Sequence, residues 1–165
     1  MSTKQTETQN GTPRVLAAGE EATSNAYHSH GTTLEYSKDG TTWKRIANLK
    51  NVTPPNVSTD EIETTDHDSN GWKEFISGLK DGGSMPFSVN VKDETAITEM
   101  FALAESAENV HWRITAPTKP KAFIVELVGF VKSFNFDDLV SGSAITATGE
   151  IRNSGQPKFG YKVGE

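Results

Sequence analysis

The chain has 165 residues, no cysteine and a formal net charge of -6, from 16 Lys+Arg against 22 Asp+Glu. That length allows one domain with an ordinary core. The missing cysteines exclude disulfide scaffolds, thiolate metal sites and cysteine nucleophiles, and the acidic balance argues against gripping a phosphate backbone, which Lys and Arg do by displacing counterions.

Residues 1–25 read as a flexible N-terminal arm. They are rich in Thr, Gln, Asn, Glu and Ala, and Val15-Leu16 is their one branched-aliphatic pair. Such a stretch buries too little apolar surface to offset its ordering entropy. The alternative is an arm that orders against a neighbouring subunit. The overall hydrophobic fraction of 34%, even with glycine added, sits below the roughly 45–50% of globular domains. Part of the chain is therefore expected outside the core. No apolar run approaches the roughly 20 residues of a membrane helix, and Met1 to Glu7 lacks an apolar signal segment. The expectation is a soluble protein with no membrane anchor, made and kept in the cytoplasm.

The folded part is expected to start near Tyr27. Thr32 to Ser37 alternates polar and apolar, Lys38-Asp39-Gly40 is a hairpin turn signal, and Thr41 to Ile46 would be the returning strand. Thr53-Pro54-Pro55-Asn56 then stops regular pairing, because proline cannot donate to a ladder. Val57 to Thr65 is a candidate strand and Asp66 to Gly71 a polar loop. Trp72 to Ile76 suggests one helical turn, and Gly78 to Gly83 a glycine-punctuated turn. So long a connection is usually functional or mobile.

Ser84 to Val91 alternates as a half-buried strand, with Met85, Phe87, Val89 and Val91 on one face. Asp93 can cap a helix from Glu94 to about Glu108, with a stripe of Ile97, Met100, Phe101 and Ala104 and a stop at Asn109. Val110, Trp112 and Ile114 mark the next strand. Phe123 to Val131 is apolar on both faces, which predicts a strand covered on both sides. Ser143 to Arg152 reads as a final strand, and residues 156–165 as a polar C-terminal tail. The sum is a mostly antiparallel β domain over 26–155 with one α-helix.

No constellation for catalysis converges. Gly82-Gly83-Ser84 lacks the lysine of a phosphate-binding loop and leads into a strand. His28 and His30 share a strand face, and His67 lies between Asp66 and Asp68; a metal site needs three or four converging ligands, and only the first pair is fixed. Glu126 lies in the apolar strand as a candidate acid, or else as a glutamate paired with Lys or Arg. No catalytic residue, metal ligand or cofactor is assigned. Asp60, Glu61, Glu63, Asp66 and Asp68 crowd one segment without a Lys or Arg between them. A solvated loop explains them, and so does a charged contact with another subunit. Trp72, Phe75 and Ile76 follow closely. An apolar patch on an acidic loop is costly in a monomer, so these eight residues are the assembly-interface candidates; a satellite core cluster is the alternative for the three apolar ones.

The run Gly71-Trp72-Lys73-Glu74-Phe75-Ile76, then Gly78-Leu79-Lys80-Asp81-Gly82-Gly83 and the strand Met85 to Val89, resembles the major tail tube proteins of long-tailed (siphovirus-type) bacteriophages. There a Gly-Leu-x-Asp-Gly/Ala-Gly turn (here Gly78, Leu79, Asp81, Gly82 and Gly83) leads into a strand. The helix, the aliphatic strand and the Thr-rich strand follow in the family's order, so the resemblance covers roughly residues 30–155. It implies a mostly β fold, an antiparallel β-sandwich or rolled sheet with one flanking α-helix, and a structural, non-enzymatic subunit. Hexameric rings would stack into a hollow tube for DNA passage without specific binding, and strands of neighbouring subunits would line the lumen. The implied partners are further copies of the chain and tape measure, tail terminator and distal tail proteins. The implied location is the virion tail, after synthesis in the host bacterial cytoplasm. The alternative is a monomeric β-sandwich binding or capsid decoration module.

Overall fold

The most apolar run becomes the longest strand, and the rest of the sheet is organised on it. A computed structural model describes residues 6–9, 12–15, 29–118 and 121–163. In chain order these form β1 (Thr6–Gln9), β2 (Thr12–Val15), β3 (Thr33–Ser37), β4 (Lys44–Arg45), β5 (Leu49–Val52), β6 (Ser58–Glu63) and β7 (Phe75–Asp81). There follow β8 (Ser84–Asn90), α1 (Glu94–Ser106), β9 (Val110–Ala116), β10 (Lys121–Phe136), β11 (Thr146–Asn153) and β12 (Lys158–Val163).

The main sheet has eight strands, with β4-β3-β9-β10-β11-β8-β5 in order and β12 also beside β10. Every pairing is antiparallel. One edge of β10 takes two partners in turn: β12 along Lys121 to Glu126, then β11 along Gly129 to Phe136. Its other edge pairs with β9 from Phe123 to Gly129. The end strands β4 and β5 are joined by only Ile46 to Asn48. Ile46 N donates to Leu34 O at 2.8 Å, and Asn48 O accepts from Asn90 N at 2.9 Å. The chain thus steps from one end of the sheet to the other across three residues. A sheet whose ends lie that close has rolled on itself, as its right-handed twist favours. The alternation predicts the mostly antiparallel β domain with one helix, and the rolled sheet is the form that the family resemblance implies.

Alternation fills the roll. Leu34 and Tyr36, Met85, Phe87 and Val89, Val110, Trp112 and Ile114, Val125, Leu127 and Val131, and Ala147 and Ile151 all face inward and are buried. Trp112 is fully enclosed, and its indole N–H donates to Gly129 O at 3.0 Å; a buried indole usually finds such a partner. A bulge between Val131 and Ser133 shifts the phase of β10, so that Phe134 also turns inward. Its ring lies 6.1 Å from that of Phe87 and 5.0 Å from that of Phe101.

The helix starts where expected. The Asp93 side chain accepts from Thr95 N at 2.9 Å, satisfying an amide the first turn leaves unpaired. It ends at Ala107, in left-handed backbone with its N–H on Leu103 O, two residues before the expected stop at Asn109. Ile97, Met100 and Leu103 are its buried residues. Leu103 takes the place expected of Phe101, which lies at the helix edge, 38% exposed, against Phe134 and Phe136.

The structure departs from several expectations. Trp72 to Ile76 is not a helical turn, and Gly78 to Asp81 is not a turn: β7 runs from Phe75 to Asp81 because its backbone pairs with β6. Only Gly82 and Gly83 remain as the turn into β8. Among the described residues the second face of β10 is only partly covered; Ile124 and Phe130 are half-buried and Val128 exposed. Residues 158–163, expected within a tail, pair with β10. Leu49–Val52, not anticipated, pairs with β8. Of residues 1–25, expected as an arm, 6–9 and 12–15 pair as a hairpin; the others lie outside the described residues.

Candidate assembly surface

The acidic segment and the apolar residues after it meet in one hairpin, β6–β7. Its cross-strand partners include Ile62 with Ile76, Glu63 with Phe75 and Glu61 with Ser77. Partners across an antiparallel pair share a face, so Ile62 and Ile76 form an apolar face, and Glu61, Glu63, Phe75 and Ser77 lie on the other. The register shifts between Thr59 and Glu61, where Gly78 and Leu79 stand opposite Asp60. A Cβ at Gly78 would come within 3.1 Å of the Asp60 side chain and 3.2 Å of its carbonyl oxygen. The glycine is what lets the two backbones close at this bulge.

All six residues of β6 are exposed, and β7 is exposed except at Gly78 and Asp81. Among the described residues both strands pair only with each other. Trp72 is 80% exposed, Leu79 81%, Ile76 55% and Phe75 49%. None of the hairpin's large apolar side chains belongs to the core.

The tip is nevertheless built. Asp66 Oδ1 accepts from Asp68 N at 2.9 Å and from the Ser69 hydroxyl at 3.3 Å, and Ser69 is buried. Trp72 N donates to Ser69 O across Asn70 and Gly71, both at positive φ. Thr64 N donates to Glu74 O, and Glu74 N to the Thr65 hydroxyl. Asp66 and Asp68 are thus presented at the tip, whereas Asp60, Glu61 and Glu63 lie along β6. Lys73 pairs with Glu63 at 2.9 Å and lies 5.9 Å from the Phe75 ring centroid.

The base of the hairpin explains most of the turn motif. Asp81 accepts from Gly83 N at 2.9 Å and from Arg152 Nη2 at 2.9 and 2.7 Å. The Gly83 amide first, and then the Arg152 guanidinium, hold the Asp81 carboxyl below the usual carboxylate range. Gly83 has φ +70, and a Cβ there would lie 2.3 Å from Asn56 O. At Gly82 it would lie 2.7 Å from Gly155 O. Aspartate and two glycines therefore fasten the hairpin to the roll. Leu79 has no such role and points to water.

The remaining candidates do not assemble into a site. His30 precedes β3, His67 sits at the hairpin tip, and His28 lies outside the described residues. Among the described residues no three His, Asp or Glu side chains converge. Glu126 is no acid in an apolar pocket. Its Oε1 accepts from Arg113 Nε at 3.0 Å, and Arg113 also lies 3.7 Å from Glu35 and from the Trp43 ring centroid. Asp137 accepts from the Thr146 and Thr148 hydroxyls, which hold its carboxyl below the usual range. Sequence reasoning missed Ile62 as an interface candidate; a lone aliphatic between acids was its only signal. No helix among the described residues is long and apolar enough to cross a membrane.

A rolled antiparallel sheet with one covering helix and a projecting hairpin is the tail-tube fold. A chain from the tail of an empty gene transfer agent particle, refined with C6 symmetry, superposes with a TM-score of 0.66 at 15% identity, over 82% of this chain and 99% of that one. A chain of the anti-feeding prophage baseplate gives 0.64 at 14%, over 83% and 97%. The SPP1 tail tube gives 0.57 at 11%, over 81% and 78%. The chain belongs to the lambda phage tail tube protein family, whose sequence profile matches residues 25–160. No curated protein matches it. The family is a structural one, of tail tube components.

Proposed function

We propose that this chain polymerises as the repeating subunit of a phage tail tube, in hexameric rings stacked into a hollow conduit for DNA, and that it carries no catalysis. Tape measure, tail terminator and distal tail proteins are its assembly partners. The single observation that carries the reading is the β6–β7 hairpin. It is pinned at its base and ordered at its tip, and it holds Trp72, Phe75, Ile76 and Leu79 out in water. Apolar area removed from water is worth roughly 25 cal/mol per Å², so these side chains favour association wherever a neighbouring copy covers them. Asp60, Glu61, Glu63, Asp66 and Asp68 then set register and orientation by charge, which governs specificity more than affinity.

The outer face of β5, β8, β11 and β10 supports a role as conduit wall. Asn51, Ser88, Thr148 and Asn135 are successive cross-strand neighbours on it. The Ser88 hydroxyl donates to Asn51 Oδ1 at 2.8 Å. The flanking charges are compensated: Lys132 pairs with Glu150, and Arg152 with Asp81. Cations already paired with carboxylates give passing phosphates fewer counterions to release than free ones would. Residues 1–25 are read as an arm outside this wall.

Negative-stain electron microscopy at rising protein concentration tests the reading. Hollow rings or tubes are expected. A chain that stays monomeric at every concentration, also with tail initiation partners present, overturns it.

A further inference from the structure

Two further features lack a partner among the described residues. The first is a groove of about 660 Å³ between the hairpin base and the β11–β12 turn, lined by Val57, Lys80, Asn153, Gln156, Pro157 and Phe159 among others. Val57 and Phe159 give it an apolar surface, 45% and 50% exposed. Lys80 makes no ion pair among the described residues. Asn153 is 6% exposed. Its amide nitrogen donates to Gly82 O and Gly155 O, while its Oδ1 has no donor.

The second feature is the loop from β10 to β11. Leu139 is 73% exposed and Val140 61%. The loop is held in shape at its base, where Asp137 N donates to Thr146 O at 2.9 Å, and at its turn, where Ser143 N donates to Val140 O at 3.1 Å. Asp138, beside the aliphatic pair, is exposed.

Loop and groove lie at opposite ends of β11, the loop entering at Thr146 and the groove opening at Asn153. Seven residue steps at about 3.3 Å separate them by about 23 Å. One copy cannot fill its own groove. A knob at one end and a hole at the other make a heterologous contact, which repeats from copy to copy.

Resting on the tube reading above, we propose that Leu139 and Val140 of one copy seat in the groove of the next copy, against Val57 and Phe159. Asp138 then meets Lys80, so the charges match where the apolar surfaces do. The contact is distinct from the one proposed for Trp72, Phe75 and Ile76, and it brings opposite ends of β11 in successive copies together.

The cysteine-free chain permits a clean test. The double variant Leu139→Cys/Phe159→Cys, both positions exposed, is concentrated and oxidised, then run on a non-reducing denaturing gel; Val140→Cys/Val57→Cys is a second, independent pair. A disulfide needs Cα atoms within about 7 Å, so no link can form within one copy. The expected result is a ladder of covalent multimers that collapses on reduction, with neither single variant passing beyond a dimer. Adding Asp138→Lys or Lys80→Asp alone should cut the ladder severalfold, and adding both should restore it. Tubes without a ladder in both pairs overturn this contact and leave the tube standing. A ladder without tubes upholds the contact and overturns the tube, and the absence of both overturns both.

Discussion

Trp112 and Trp72 stand at opposite extremes of one molecule. Trp112 is fully buried, with its indole on Gly129 O, at the centre of a roll whose strands cover one another. Trp72 is 80% exposed, on a hairpin whose strands pair with no others. The roll places its aromatics where the chain itself excludes water. The hairpin arranges backbone hydrogen bonds with equal care and leaves its apolar side chains to be covered from outside. A backbone ordered without burial needs another reason for its order, and the contact proposed with a neighbouring subunit supplies one.

The largest effect that tests this contrast is in the roll. Trp112→Ala should cost about 3–5 kcal/mol by losing buried area and leaving a cavity, read as a fall in the denaturant midpoint with an unchanged slope. A loss below about 1 kcal/mol would mean that the roll is not the folding unit. A pH measurement comes next. Burial first, and then a hydrogen bond to Glu99 Oε2 at 2.9 Å, push the Tyr36 hydroxyl up to about 12. A raised value means that the fold favours the protonated phenol. Its contribution to stability is fully present below the ordinary tyrosine value near 10 and is lost as pH rises through about 12. Phenolate absorbance should show one of the chain's three tyrosines staying protonated until about pH 12 or until the protein unfolds. Three equivalent titrations would break the packing claimed for this wall of the roll. The smallest effect on stability belongs to the hairpin: Trp72→Ala should move the unfolding free energy by no more than about 0.5 kcal/mol, while weakening assembly.

The roll was legible in the sequence because burial has a period. Met85, Phe87 and Val89, and Val110, Trp112 and Ile114, alternate as half-buried strands must, and Asp93 capped its helix as its chemistry requires. Where burial sets no period, the reading failed. Phe75, Ile76 and Leu79 looked like a patch and a turn because β7 faces water on both sides and is held by backbone pairing alone. The bulge at Gly78, which fits the chain against Asp60, has no signature in one strand read by itself. Phe123 to Val131 was legible as doubly apolar, but the expectation of a cover on both faces assumed that one chain supplies both. Leu49–Val52 and Lys158–Val163 were passed over because each is short and takes its register from a long partner, β8 or β10. The turn motif was recognised before it was explained. Its aspartate and two glycines fasten the hairpin to Arg152, Asn56 and Gly155, and Leu79 stays exposed.

The account turns on one claim: the hairpin is dispensable for folding and needed for assembly. Deleting Asp66 to Gly71, and following thermal unfolding and tube formation on the same preparation, tests it most directly. The account predicts a melting temperature within about 3 °C of the full chain, because little buried area is lost, together with loss of tubes by electron microscopy. Normal tubes from the deleted chain, or a collapse of the fold, would contradict it.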